Sequence, residues 1–191
     1  MRMGQEKGLI VLAGKCLVQH VMTTAMEVAD ECIVSVARNK SEAYRNVLGE
    51  GSTIVEDSRS NIGPLEGLVS SFKRARGEYV LVSPCDTPFL RIGVCRLVVS
   101  RALGNDAAVP VVNGYFEPLH GVYEKEKCLK AFEKTLQEGR FKAIDAFSEL
   151  GLVRVEEVLL RQVDPNLESF WNLNRPEDIR TAEERNLDKT D

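Results

Sequence analysis

Residues 79–89 read Tyr79-Val80-Leu81-Val82-Ser83-Pro84-Cys85-Asp86-Thr87-Pro88-Phe89, an apolar run that delivers the chain into a carboxylate. The run predicts a strand buried on both faces, and such strands belong to parallel sheets covered by helices on each side. In open sheets of this kind, ligands collect outside the carboxyl ends of the strands, where Asp86 stands. A lone carboxylate held there can bind a metal ion with little reorganisation. The same residues also suit an Asx-type turn that ends the strand before Pro88, and the motif alone does not choose between the two.

Upstream, apolar residues at helical spacing (Val18, Val21, Met22, Ala25, Val28, Ala29) precede a β-rich run, Cys32 to Val36. A short helix capped by Ser41 leads to a second strand, Thr53 to Val55, which also ends on acids, Glu56 and Asp57. Pro64 is placed for the first turn of a helix with the stripe Leu65, Leu68, Val69 and Phe72, closed by Gly77. Downstream, Ile92 to Ala102 reads as a helix and Ala107 to Val112 as a strand. Asn113-Gly114 is a tight-turn signal, so an antiparallel excursion through Phe116 to Tyr123 joins the sheet. Helices at Lys125 to Gln137 and Lys142 to Leu150, a strand at Leu152 to Val155 and a charged helix at Glu177 to Arg185 complete the chain. The alternation predicts an α/β fold of three layers, Rossmann-like, with a mostly parallel central sheet.

The length of 191 residues, 43% of them hydrophobic and 28% charged, describes a single domain spanning 1–191 with a sizeable core. No apolar run approaches the ~20 residues of a membrane span, and the N-terminus lacks a signal-peptide pattern, so a cytoplasmic protein is expected. Cys16, Cys32, Cys85, Cys95 and Cys128 are scattered and never form C-x-x-C, against a disulfide framework or zinc site. A net charge of −4 offers no basic field for nucleic acid, which points to a small-molecule partner. His20 and His120 are lone histidines without ligand spacing.

In order, the segments RMGQEK, LAGK, ED, GPLEGL, PCDTPF, EPLHGVY and FWNLNRPEDI resemble the molybdenum cofactor guanylyltransferase (MobA) family through nearly the whole chain. That family opens on a strand and a loop of the form LAGGxSxRMGxDK. Two registers are possible. Either Leu12-Ala13-Gly14 is the remnant of LAGG, or Arg2-Met3-Gly4-Gln5-Glu6-Lys7 is RMGxDK, which lets Gly8 to Val21 follow the family without a gap. In the second register the first strand and the glycine pair stand outside the sequence, leaving two strand edges unpaired in the middle of the sheet. A start placed too far downstream, a shift of Gly8 to Ala13 into the vacant position, and an inactive descendant are three ways to resolve this.

The resemblance implies transfer of GMP from GTP to molybdopterin, giving the guanine dinucleotide cofactor and pyrophosphate, with Mg²⁺ held by Asp86. It further implies that Lys7 balances the triphosphate and Arg2 the departing pyrophosphate. Asp57 would contact the nucleoside, with Gly63 and Pro64 shaping the GTP site. Asn172 and Asn174 would face the metal or the acceptor phosphate from across the cleft. As residues alone, Asp57 equally suits a loop cap and the asparagines ordinary turns. Val36 stands where the family carries a nucleotide-contacting asparagine. A transferase of the same fold using CTP or another acceptor, and a non-catalytic remnant that binds nucleotide, cofactor-assembly proteins or a molybdoenzyme, are the alternatives.

Overall fold

The computed structural model describes residues 6–57 and 63–187. Arg2 lies outside the described residues, so its expected role has no structural counterpart here.

Among the described residues, helices α1 (Leu17–Ala25), α2 (Ser41–Leu48), α3 (Pro64–Arg74), α4 (Ile92–Ala102), α5 (Lys125–Gln137), α6 (Glu157–Val163) and α7 (Pro176–Leu187) surround nine strands. Strands β1 (Val11–Leu12) and β2 (Lys15–Cys16) form a small hairpin, and β3 (Ile33–Val36) pairs in parallel with β4 (Thr53–Glu56). A separate five-stranded sheet contains β5 (Tyr79–Leu81), β6 (Ala107–Val112), β7 (Tyr115–Phe116), β8 (Val122–Glu124) and β9 (Leu152–Val155). There β5 and β6 are both antiparallel to β8, and β9 is parallel to β6, so β5, β6 and β9 share one direction.

Period-two burial in the strands sorts side chains into two helical layers. Ala107, Val109 and Tyr123 face α3 and α5, in a core with Leu65, Leu68, Phe72 and Phe132. Their neighbours Ala108, Val112 and Val122 face α4 and α6, in a core with Val94, Val98 and Leu160. Val34 and Val36 in β3 likewise pack against Val18 of α1 and Tyr44 of α2. The expected three-layer arrangement is therefore present.

Asn113 and Gly114 take φ of 51° and 80° between the paired residues Val112 and Tyr115, the two positive φ values of a two-residue hairpin turn. The returning strand differs from expectation. Instead of one run from Phe116 to Tyr123, a 3₁₀ turn at Pro118–His120 separates β7 from β8, because Pro118 has no N–H for a ladder. Residues expected as a helix at 142–150 form a 3₁₀ stretch, Ala143–Glu149, and α3 ends at Arg74 rather than at Gly77. Ser41 begins α2 rather than capping it, and Glu56 takes over by accepting from its backbone N–H at 3.1 Å.

Strand β5, expected to be buried on both faces, is not. All three residues of β5 are only half-buried, because β5 pairs on one edge alone among the described residues. β3 has the same one-sided pairing. Nor do Gly8 to Ala13 move between them: these residues form a 3₁₀ turn at Lys7–Leu9 and the start of the β1–β2 hairpin, with Ala13 and Gly14 at its tip.

Candidate active site

The site is built where β5 ends. After Leu81 the chain turns through Pro84 and Cys85, and the Thr87 hydroxyl donates to the Pro84 carbonyl at 3.1 Å, fixing the turn that presents Asp86. The side chain of Asp86 is 14% exposed, enough for one carboxylate edge to meet solvent or ligand. Lys7 reaches it from the N-terminal segment, with Nζ 3.0 Å from Asp86 Oδ2 and donating to Asn174 Oδ1 at 2.5 Å. Residues from three distant parts of the chain thus meet at one point.

Each arm has its own anchor. Gly8 lets Lys7 into place: a Cβ there would stand 2.7 Å from the Tyr44 hydroxyl and 3.3 Å from Cys85 Sγ, so only glycine fits without displacement. Asn174 is set by its neighbour Leu173, which is fully buried against Leu12 and Leu17 and donates its backbone N–H to the Asp86 carbonyl at 2.8 Å. Phe89 stacks on Trp171 at 5.3 Å beside it, and Asp178 accepts from the backbone N–H groups of Asn174 and Arg175, both at 2.8 Å, starting α7. Farther back, the wholly buried Asp164 accepts from the Ser169 N–H and from Arg91, tying the approach to this segment onto α4. Asn172 is exposed, and its carbonyl lies 3.5 Å from the Asn174 amide nitrogen.

A second group forms at the ends of β3 and β4. Asp57 accepts from the Ser35 hydroxyl at 3.1 Å, and a Cβ on Gly67 would crowd both, at 2.8 Å from Ser35 Oγ and 3.1 Å from Asp57 Oδ1. Burial and the nearby Glu66 raise the Asp57 pKa above the ordinary aspartate value. Gly63, at φ 101°, precedes Pro64 at the first turn of α3, as expected. Burial also pushes the Cys85 thiol up to about 11, which keeps it protonated and unreactive beside Asp86.

Thus Lys7, Asp86 and Asn174 come together, Asp57 is held by Ser35 at the ends of β3 and β4, Gly63 and Pro64 open α3, and Asn172 is exposed next to Leu173. Sequence reasoning passed over Glu66 and Ser35. Glu66 is only 4% exposed although it lies on a helix, and a carboxylate next to the apolar stripe of α3 is the signal that could have found it. Among the described residues no three His, Cys, Asp or Glu side chains gather as a metal cage, and no helix is long and apolar enough to cross a membrane.

A three-layer α/β sheet with a lysine and an aspartate meeting beyond the carboxyl end of a strand defines a Rossmann-like nucleotidyltransferase. The chain belongs to the MobA-like NTP transferase family, whose domain matches residues 1–152. It is 32% identical to a molybdenum cofactor guanylyltransferase of Desulfosudis oleivorans, over 94% of this chain and 87% of that one. It is 34% identical to a protein of Methanosarcina acetivorans named "Probable molybdenum cofactor guanylyltransferase", over 94% and 84% of the two chains. In fold it is similar to the molybdopterin-guanine dinucleotide biosynthesis protein A of Archaeoglobus fulgidus, with a TM-score of 0.80 at 24% identity, covering 98% and 93%. It also shares its fold with the 2-C-methyl-D-erythritol 4-phosphate cytidylyltransferase of Thermus thermophilus, with a TM-score of 0.71 at 16% identity, covering 95% and 94%.

Proposed function

We propose that this protein transfers GMP from GTP to the terminal phosphate of molybdopterin, forming the guanine dinucleotide cofactor and releasing pyrophosphate. The observation that carries the reading is the convergence of Lys7, Asp86 and Asn174, drawn from the RMGQEK, PCDTPF and NLNRP motifs. The guanylyltransferase relatives, at 32% and 34% identity over most of the chain, support the choice of substrates.

In this reaction an anionic phosphate attacks an anionic α-phosphate in line, so charge neutralisation and positioning do most of the work and no covalent nucleophile is needed. Lys7 supplies a cation for the triphosphate, and it can exchange its two oxygen partners for phosphate oxygens because its side chain is 41% exposed. Asp57, with Ser35 behind it, accepts from hydroxyl or amino donors of the nucleoside. Asn174 and Asn172 stand across from Asp86, where the acceptor phosphate approaches.

The donor set also fits a hard divalent cation. Asp86 Oδ2 and Asn174 Oδ1 flank a position already taken by a positive charge, the Lys7 ammonium, and Mg²⁺ binds through one or two protein oxygens with water and substrate phosphates completing its shell. Bound there, Mg²⁺ would neutralise phosphate charge. Arg2, by the family resemblance, assists at the pyrophosphate. The expected setting is the cytoplasm, with cofactor-assembly proteins or molybdoenzymes as protein partners.

Incubation with GTP and molybdopterin tests the reading: pyrophosphate should appear only when both are present, together with the guanine dinucleotide. Release with CTP in place of GTP would assign the protein to a cytidylyl branch, and no release with any nucleotide would assign it a binding role.

A further inference from the structure

The Lys7 ammonium holds the same two oxygens that fit a divalent cation: Nζ stands 3.0 Å from Asp86 Oδ2 and 2.5 Å from Asn174 Oδ1. The oxygens are fixed in place and the ammonium is not. Asp86 is held through its backbone carbonyl, which accepts the Leu173 N–H at 2.8 Å. The Asn174 amide nitrogen lies 3.5 Å from the Asn172 carbonyl, which leaves the amide oxygen turned to Lys7. The Lys7 main chain is fixed as well, by its carbonyl accepting from the Ile10 N–H at 3.1 Å and by Gly8 packed against Tyr44 and Cys85. Only the flexible stem of Lys7 can swing, and its side chain is exposed enough to have solvent to swing into. Among the described residues, Lys7 forms an ion pair with Asp86 alone, and no other cation pairs with Asp86.

We propose that Lys7 is a placeholder that sets the order of ligand binding: its ammonium keeps the Asp86 and Asn174 oxygens until a polyphosphate draws it off, so the protein takes up a divalent cation with the nucleotide and not before it. The inference rests on the reading of Asp86 as the metal-holding carboxylate. Both cations seek one pair of oxygens, and an ammonium and a divalent ion side by side repel each other with a single carboxylate to balance them. A free ion would have to strip the lysine of both partners while gaining only one carboxylate and one amide oxygen, a sparse donor set for a hard cation. A triphosphate changes both sides of that balance. Its oxygens offer the ammonium charge-assisted hydrogen bonds in place of those given up, and they complete the shell of the ion. Because the Lys7–Asp86 pair is partly exposed, its exchange costs the fold little. Linkage then makes the cation and the polyphosphate strengthen each other's binding through the lysine.

The test uses Mn²⁺ alone, which carboxylate and carbonyl oxygens accept as they do Mg²⁺, and reads its binding by electron paramagnetic resonance with no nucleotide or acceptor present. Lys7→Met keeps an apolar stem without the charge and should bind Mn²⁺ at least about tenfold more tightly than wild type. Adding Asp86→Asn should abolish that gain. Lys7→Arg keeps the charge and should bind Mn²⁺ as weakly as wild type. Thermal unfolding of each variant verifies that it is folded, and Lys7→Gln gives the same readout should Lys7→Met fail to fold. No gain on removing the charge would overturn the proposal, as would an equal gain in Lys7→Arg or a gain that survives Asp86→Asn. Guanylyl transfer is judged separately, by pyrophosphate release: its failure would leave the Mn²⁺ result standing, and an unchanged Mn²⁺ affinity would leave the transfer reaction standing.

Discussion

The Lys7 ammonium lies 3.0 Å from the Asp86 carboxylate across 79 residues of sequence, and the same nitrogen donates to Asn174 from the far end of the chain. The three groups owe their meeting to separate anchors, namely Gly8 against Tyr44 and Cys85, the turn after β5, and Leu173 in its apolar pocket. Removing each arm should therefore have a different signature.

Asp86→Asn keeps the shape of the turn, because it is the backbone carbonyl of Asp86 that receives Leu173. Turnover should fall by at least ~100-fold, as when one preorganised electrostatic group is lost, while the unfolding midpoint stays close to wild type. Steady-state kinetics beside thermal unfolding checks this, and wild-type turnover would remove Asp86 from the mechanism.

Lys7→Ala should raise the KM for GTP by about tenfold or more and cost little stability. The pair is partly exposed, and such ion pairs contribute at most about 1 kcal/mol to folding. Unchanged GTP affinity would transfer the triphosphate role to the Leu12-Ala13-Gly14 register.

Leu173→Ala separates positioning from chemistry. Truncating a fully buried leucine should cost roughly 2 to 5 kcal/mol in denaturant unfolding. The loss should be accompanied by weaker binding of the acceptor, because Asn174 loses its neighbour's anchor. Loss of stability with unaltered acceptor KM would show that Asn174 does not serve the acceptor.

His120 sets a pH dependence. The ring is buried against Phe170, and desolvation pushes its pKa down to about 4 from 6.5, outweighing the opposing pull of the Ser169 backbone and the Asp86 charge. The unfolded chain takes up the proton near 6.5 and the folded protein does not until about 4, so this contribution to stability is full above 6.5 and falls as pH drops between those values. Urea unfolding at pH 7 and pH 4.5 should show wild type losing about 2–3 kcal/mol more than His120→Phe. An equal loss in the two proteins would mean that His120 titrates normally.

Much of the fold was legible because it is local. Helices Ile92–Ala102 and Lys125–Gln137 and strands Ala107–Val112 and Leu152–Val155 follow periodicity to the residue. The exceptions are tertiary. Helix Glu157–Val163 is short and buries only Leu160, too little stripe to read. The half-exposure of Tyr79–Leu81 depends on which strand lies beside it, and no pattern within an apolar run encodes that. In the site, Asp86 and Lys7 were marked by their motifs. Glu31, at the opposite end of β3 from the site, was not, because its carboxylate works on the backbone of Arg76 and Gly77, 45 and 46 residues away.

Calorimetric titration with GTP and with CTP, each with and without Mg²⁺, tests the central claim most directly. Saturable binding that requires Mg²⁺, prefers GTP and is lost in Asp86→Asn is the predicted result. A folded protein that binds neither nucleotide, or binds both equally without Mg²⁺, would contradict it.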